Sequence, residues 1–314
     1  MSTELSTPVT PVVQTGVLNA MTVDVEDWFQ VSAWDDVYSR KDWPSMEWRV
    51  VESTKRLLEL FHDEGIRATF FTLGCVAERF PQLIADIVAA GHELASHGYE
   101  HHRVYTMDAE RFRADLARAK EALQAAADVP IDGFRAPSFS ISATSLWAFD
   151  VLREEGYRYS SSVFPVRHDH YGLPRFPREP VRLMGDGEES LWELPMTTWR
   201  VLGRNLPVAG GGWMRALPPA VVRRGIRSVN RAGHPAITYL HPWEVDPDQP
   251  RVQGGSRKAR FRHYLNLHKT LPRLQRLIRS FRFGTVSEVL AAIEGRSGAS
   301  SPCLDREALA ACCE

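Results

Sequence analysis

Gly91-His92-Glu93-Leu94-Ala95-Ser96-His97-Gly98-Tyr99-Glu100-His101 reads as a short buried strand, residues 91–96, that runs straight into two imidazoles. The spacing of His97 and His101 puts both rings on one face of a helical turn or of a tight strand-to-helix bend, from which they converge on a divalent ion at about 2.0–2.1 Å. A histidine pair near a core is more often hydrogen-bonded structure than ligand, so a metal reading needs a third, anionic donor. Upstream, Met21-Thr22-Val23-Asp24-Val25-Glu26-Asp27-Trp28 ends a β-prone run in three carboxylates. That pattern is either a site at a strand's C-terminal end or an acidic cap before a helix.

Outward from these stretches, strand-like and helix-like segments alternate with short connections. A helical period over 50–64 (Leu57, Leu58, Leu60, Phe61) is followed by a strand over 68–73, a helix over 81–90 and the strand before His97. A long amphipathic helix, 108–127, is capped by Asp108 and leads to a short strand at 133–135. Further helices are expected over 143–155 and 218–230, and strands over 157–163, 191–194 and 236–240. Such alternation argues for a parallel sheet or barrel. Asp24, Glu26 and Asp27, then His97, Arg135 and His241, each follow directly on an expected strand. In a parallel barrel those ends form one face, where residues far apart in sequence meet.

With 314 residues, 44% hydrophobic and 25% charged, the chain can bury a large α/β core. A formal net charge of -1 gives no global field to hold a polyanion, which argues against nucleic acid as a partner. Met1 to Thr15 is polar, without a basic cluster or apolar core, and reads as a disordered leader rather than a signal peptide. No stretch reaches the length of a membrane span. Cys75, Cys303, Cys312 and Cys313 have neither zinc-ribbon nor disulfide-framework spacing, so a reducing, cytoplasmic setting is expected.

A metal-assisted hydrolase needs a base, an ion with open positions, oxyanion donors and an acid for the leaving group. Asp24 would be the base, His97 and His101 with Glu26 or Asp27 the metal ligands, and His241 the acid. Arg135 would pair with Asp24 and orient its carboxylate. Strand alternation turns Asp24 and Glu26 to one side and favours Glu26 as ligand, whereas a bulge would bring in Asp27. Of the tryptophans, including Trp28, Trp34, Trp43, Trp48, Trp213 and Trp243, about a third are assigned to sugar stacking and the rest to the core. Gly210-Gly211-Gly212 lacks the Lys-Ser/Thr of a phosphate loop and reads as a flexible connection near the groove.

These residues fall in the order of five motifs, and the chain resembles the polysaccharide deacetylases of the NodB-homology type, carbohydrate esterase family 4. Thr22-Val23-Asp24-Val25-Glu26-Asp27 stands for the first motif, His97 to His101 for the second and Arg135-Ala136-Pro137-Ser138 for the third. Tyr159-Ser160-Ser161-Ser162 stands near the fourth, and Tyr239-Leu240-His241-Pro242 for the fifth. Asp24-Val25-Glu26-Asp27-Trp28-Phe29 and His241-Pro242-Trp243-Glu244-Val245-Asp246 are similar to the branch encoded with exosortase-linked exopolysaccharide clusters. Further support for that branch comes from Gly133-Phe134-Arg135-Ala136-Pro137-Ser138-Phe139-Ser140 and Arg260-Phe261-Arg262-His263-Tyr264.

The resemblance implies a distorted (β/α)7 TIM-like barrel over 20–294, with a family-specific region from about residue 200, a leader over 1–19 and a loose tail over 295–314. It implies removal of N-acetyl groups from an N-acetylated sugar of an exopolysaccharide or its precursor, with zinc the default ion and cobalt or nickel able to replace it. It also implies metal binding by His97 and His101, Asp24 as base, the Ser138 backbone N–H in the oxyanion hole and His241 as acid. The family's usual carboxylate ligand is an aspartate, which tips the choice toward Asp27. Close relatives carry Asp where this chain has Ser160, a change expected to lower the His241 pKa and weaken the acid. The alternatives are an allantoinase-like cyclic-amide hydrolase and a non-catalytic sugar-binding protein on a degenerate barrel.

Overall fold

The computed structural model describes residues 16–168, 171–185, 190–296 and 302–313. In chain order the elements are β1 (Leu18–Val25), α1 (Val50–Asp63), β2 (Thr69–Thr72), α2 (Gly74–Arg79), α3 (Pro81–Ala89), β3 (Glu93–Ser96), α4 (Ala109–Ala126), β4 (Gly133–Phe134), α5 (Trp147–Glu154) and β5 (Tyr159–Ser160). There follow β6 (Val181–Met184), β7 (Ser190–Glu193), β8 (Thr198–Val201), β9 (Arg204–Pro207), α6 (Gly211–Ala216), α7 (Pro219–Arg231) and β10 (Ile237–Leu240). The C-terminal part adds α8 (Arg257–Tyr264), α9 (Thr270–Ile278), β11 (Arg282–Gly284), α10 (Val286–Glu294), β12 (Cys303–Leu304) and α11 (Arg306–Ala311).

Seven strands run parallel in the order β10-β1-β2-β3-β4-β5-β7. Beyond β7 the chain bends toward the other end of this row: the Thr197 N–H donates to the Ile237 carbonyl at 3.3 Å, and the Ile237 N–H to Thr197 Oγ1 at 2.7 Å. The row curls into a distorted (β/α) barrel joined there by single bonds rather than a full ladder. Antiparallel β6, with β12 beside it, extends the sheet past β7, and β11 pairs with the start of β1.

The two-residue period of β1 sorts its side chains. Met21, Val23 and Val25 face outward into one core cluster with Leu57 and Phe61 of α1, while Ala20 joins Phe71, Ala95, Tyr159 and Ile237 in another inside the barrel. Asp108 caps α4 as expected, its side chain accepting from the Arg111 N–H at 2.8 Å.

The expected boundaries move at both ends. β1 begins at Leu18, inside the expected leader, because Leu18–Ala20 gain a parallel partner in β11; the rest of that leader, residues 1–15, lies outside the described residues. The tail is not loose over 302–313, since β12 pairs with β6 and α11 buries Leu309 against the core; residues 297–301 and 314 lie outside the described residues. Cys75, Cys312 and Cys313 are free thiols, and no helix among the described residues is long and apolar enough to cross a membrane.

Candidate metal centre and active site

Asp24 lies near the end of β1 and Glu26 just beyond it, where its N–H turns back onto the Asp24 carbonyl at 3.0 Å; both are buried. At the end of β3, His97 leaves the strand and Gly98 turns the chain with a φ of +76°, where a Cβ would lie 2.9 Å from Asp115 Oδ2. His101 itself sits at a φ of +55°. The two imidazoles are therefore joined by a left-handed bend and not by a helical turn. Arg40 fixes the bend by donating to the carbonyls of Glu100 and His101 at 2.7 and 2.9 Å.

Glu26, His97 and His101 bring one ligand atom each to within 4.8 Å of the others, and all three residues are buried. His97 Nδ1 lies 2.8 Å from the Arg135 carbonyl, an acceptor that fixes the proton on Nδ1 and leaves Nε2 with a free lone pair. Burial lowers the His97 pKa to about 4, so the ring is neutral as a ligand must be. Glu26 Oε2 is 2.8 Å from His101 Nε2 yet has no hydrogen-bond partner, and His101 Nδ1 is also without one. The two atoms are close enough to reach one ion. The orphaned carboxylate oxygen and the donor set fit a divalent cation.

Asp27 does not join the group. Its carboxylate accepts from the backbone N–H groups of Trp28, Arg49 and Val50 at 2.8, 2.7 and 2.8 Å. These bonds cap α1, whose own N-cap residue, Arg49, offers no side-chain cap. The lean toward Asp27 is corrected on this ground: the helix end takes its oxygens, while Glu26, just past the end of β1, lies beside His101.

Arg135 is wholly buried over the Phe71 ring, 4.1 Å from its centroid, and donates to Asp24 Oδ1 and Thr22 Oγ1 at 2.6 Å each. It also donates to the Ser161 carbonyl and hydroxyl at 2.9 Å each. Three residues on, Ser138 and Phe139 both adopt positive φ, 57° and 53°, a strained turn that follows Pro137.

His241 directly follows β10, with Nε2 3.4 Å from Glu26 Oε1 and 4.0 Å from Asp24 Oδ2. Its ring stacks on Trp243, and Trp243 on His263, at centroid distances of 5.2 and 4.1 Å. On the far side of the imidazole stands Glu244, Oε1 2.8 Å from Nδ1; its Oε2 accepts from Arg215 Nε at 2.7 Å. Arg215 is clamped in turn by the carbonyls of Arg262, His263 and Leu265. Burial disfavours the imidazolium, but the carboxylates of Glu26, Glu244 and Asp24 outweigh it and lift the His241 pKa to about 9. Burial likewise opposes the Glu244 charge, and Arg215 and His241 overcome it, holding its pKa at about 2.

Glu244 and Arg215 had been given no role from sequence. The i, i+3 spacing of His241 and Glu244 around Pro242-Trp243 was the one local signal; Arg215 had none. His241 stays a strong candidate acid with Ser160 in place, because Glu26, Glu244 and Asp24 supply the carboxylates that raise its pKa. Ser160 lies on β5 with its hydroxyl on Ser162 Oγ at 2.8 Å. The glycine run is not a flexible connection: Gly210 and Gly211 are buried at the start of α6, and a Cβ on Gly211 would stand 2.2 Å from Glu244 Oε1. Trp28, Trp34, Trp43 and Trp243 pack together in one buried aromatic cluster, which assigns them to the core rather than to sugar stacking.

Residues 31–160 match the model of the polysaccharide deacetylase family, and residues 161–291 match a domain of unknown function, DUF3473. The first part of the chain is thus similar in sequence to polysaccharide deacetylases. The peptidoglycan-N-acetylglucosamine deacetylase of Bacillus cereus is 29% identical over 99 residues, 31% of this chain and 36% of that protein. The peptidoglycan deacetylase of Helicobacter pylori is 28% identical over 151 residues, 47% of this chain and 50% of that protein. The chain thus spans half or less of these curated relatives. A crystal structure of a putative polysaccharide deacetylase from Mycobacterium smegmatis superposes with a TM-score of 0.59 at 19% identity, covering 96% of this chain and 98% of that one. A deacetylase-like fold therefore extends through both matched regions: Asp24 and Glu26, which precede the first, and His97, His101 and Arg135 within it meet His241, Glu244 and Arg215 from the second.

Proposed function

We propose that this protein is a metal-dependent N-deacetylase that removes acetyl groups from an N-acetylated sugar of an exopolysaccharide or its precursor. The observation that carries the reading is the convergence of the Glu26, His97 and His101 ligand group with the Asp24–Arg135 pair on one side and the His241–Glu244 pair on the other. A divalent ion held by Glu26, His97 and His101, zinc by default, supplies Lewis acidity toward water and the acetamide carbonyl. Asp24, oriented by Arg135, accepts the proton of the attacking water. The Ser138 backbone N–H donates to the oxygen on which negative charge grows. His241, protonated and backed by Glu244, donates a proton from Nε2 to the departing amine; acetate leaves and the amine stays on the sugar.

The similarity to the exopolysaccharide-linked branch in the stretches around Asp24, Arg135 and His241 supports the choice of polymer. The test is acetate release from N-acetylhexosamine oligomers by the wild type, Asp24→Asn and His241→Ala. Loss of roughly two orders of magnitude or more in each variant is expected; equal rates in all three overturn the reading.

A further inference from the structure

The net charge of -1 conceals a strong segregation. Residues 194–287 hold 17 of the 38 Lys and Arg but three of the 39 Asp and Glu. Two of those three acids, Glu244 and Asp246, are buried in ion pairs with Arg215 and with Arg49 and Arg56. From Leu194 to Trp243 there are seven arginines and no acid.

Part of this charge lies along α7. Arg224, Arg227 and Arg231 lie on one stripe of α7 and are exposed, and none of them enters an ion pair with the described residues. Where α7 meets β11, Arg227, Arg231 and Arg282 line a cleft of about 330 Å³ together with Asn230 and Ser280. The β8–β9 hairpin leans on the same helix: the Arg224 guanidinium is 5.8 Å from the Trp199 ring, and Gly225 admits Trp199 and Val208 to close contact.

At the hairpin's tip is Leu202, 98% exposed and flanked by the exposed Arg200 and Arg204. Its φ is 48°, a left-handed turn position that glycine or asparagine fills at lower cost. Folding thus supplies no reason for leucine here, since the side chain packs on nothing and the backbone disfavours it. An apolar tip among arginines, beside a basic stripe, is the pattern by which a protein lies on an anionic bilayer.

We propose that the β8–β9 hairpin and the arginine stripe of α7 form a docking surface for an anionic lipid bilayer, Leu202 entering the acyl boundary while the arginines sit among phosphate headgroups. A soluble polyanion would satisfy the arginines equally well but gives no place to Leu202, so the bilayer is the occupant these features favour. None of these residues belongs to the proposed active site, and the surface stands or falls independently of the deacetylase reading.

The experiment is co-sedimentation of the full chain with phosphatidylcholine vesicles, with and without roughly one third phosphatidylglycerol, over a range of salt. Binding is expected to anionic vesicles alone and to weaken as salt rises. Combined Arg224→Gln, Arg227→Gln and Arg231→Gln should lower partitioning roughly a hundredfold. Leu202→Ser should lower it roughly tenfold, with the salt dependence kept. Both variants should keep the wild-type melting midpoint, which separates loss of docking from loss of fold. No binding to anionic vesicles, equal binding to neutral ones, or an unchanged triple variant overturns the proposal. So does Leu202→Ser partitioning like the wild type while dextran sulfate competes fully, the outcome that assigns the face to a soluble polyanion.

Discussion

Glu244→Gln tests whether the proposed acid is tuned from the C-terminal region. Glu244 Oε1 is 2.8 Å from His241 Nδ1, and it is one of three carboxylates that raise the His241 pKa to about 9. Glutamine keeps the shape and an accepting oxygen but removes the charge. Loss of one close opposite charge lowers a pKa by roughly one to two units. A general acid must be protonated, so activity is present below its pKa and disappears as pH rises through it. The alkaline limb of the kcat/KM profile should therefore move down by roughly 1.5 units. At pH 9 that corresponds to a loss of roughly 15-fold, and below about pH 6.5 to almost none. A bound cation beside Glu26 lowers the absolute position of the limb in both proteins, so the prediction is the displacement between them. Arg215 also loses its anionic partner while still buried, which should cost stability on the order of 3 kcal/mol. The assay is acetate release against pH under conditions where both proteins are folded, with the melting midpoint measured alongside. An alkaline limb that stays in place, whatever the loss in stability, would refute the assignment of Glu244 as the group that tunes His241.

Other perturbations separate the remaining roles. Glu26→Gln should lose bound zinc by elemental analysis and keep most of its stability, whereas Asp27→Ala should keep the metal and lose roughly 1–2 kcal/mol as α1 loses its cap; the opposite outcome would restore Asp27 as the ligand. A chelator should abolish acetate release and lower the melting temperature, and zinc or cobalt should restore both. Gly211→Ala should cut kcat by at least tenfold, because the new Cβ occupies the space of the Glu244 carboxylate; an unchanged kcat would show that the carboxylate can move freely. Ser160→Asp should not raise activity. It would set a second carboxylate beside Glu193, whose pKa burial raises to about 7, so denaturant melts should show a loss of roughly 3 kcal/mol or more at pH 8 and less at pH 5.5.

Much of the barrel was legible because its strands and helices are short, periodic and cleanly separated. The strands at 68–73, 91–96, 133–135 and 236–240 and the helices at 50–64, 81–90 and 108–127 fall within a few residues of β2, β3, β4, β10, α1, α3 and α4. The polar residues at strand ends were legible for the same reason, since parallel strands put all those ends on one face. The third ligand was not, because Glu26 and Asp27 are adjacent carboxylates and which one faces the histidines is settled by the far side of the chain. Asp27 is held by Arg49 and Val50, over twenty residues away, which no local pattern encodes. The tail was misjudged because β12 is two residues long and owes its order to β6, more than a hundred residues earlier. Overall charge balance also hid the basic face, since an average over 314 residues erases a segregation that lies within 94 of them.

The match to two sequence families meets at residue 160, but the barrel has no seam there. β5 pairs with β7, and β10 lies beside β1 in the register Ala20 to Ile237 through Val23 to Leu240. Asp24 thus sits one residue past the last position of a ladder whose other strand ends at Leu240, just before His241. Without residues 161–291, β1 would lose both β10 and β11, leaving a row of backbone groups unpaired at the edge where the acids emerge. Glu26 would also lose His241, one of the three histidines that hold its pKa at about 2 against the desolvation of burial. The histidine, the carboxylate that backs it and the arginine that clamps that carboxylate all come from the region of unknown function. That region is therefore a structural half of the proposed active site, and a chain cut at residue 160 lacks both the proposed acid and β10, the strand that pairs with β1 beside the proposed base.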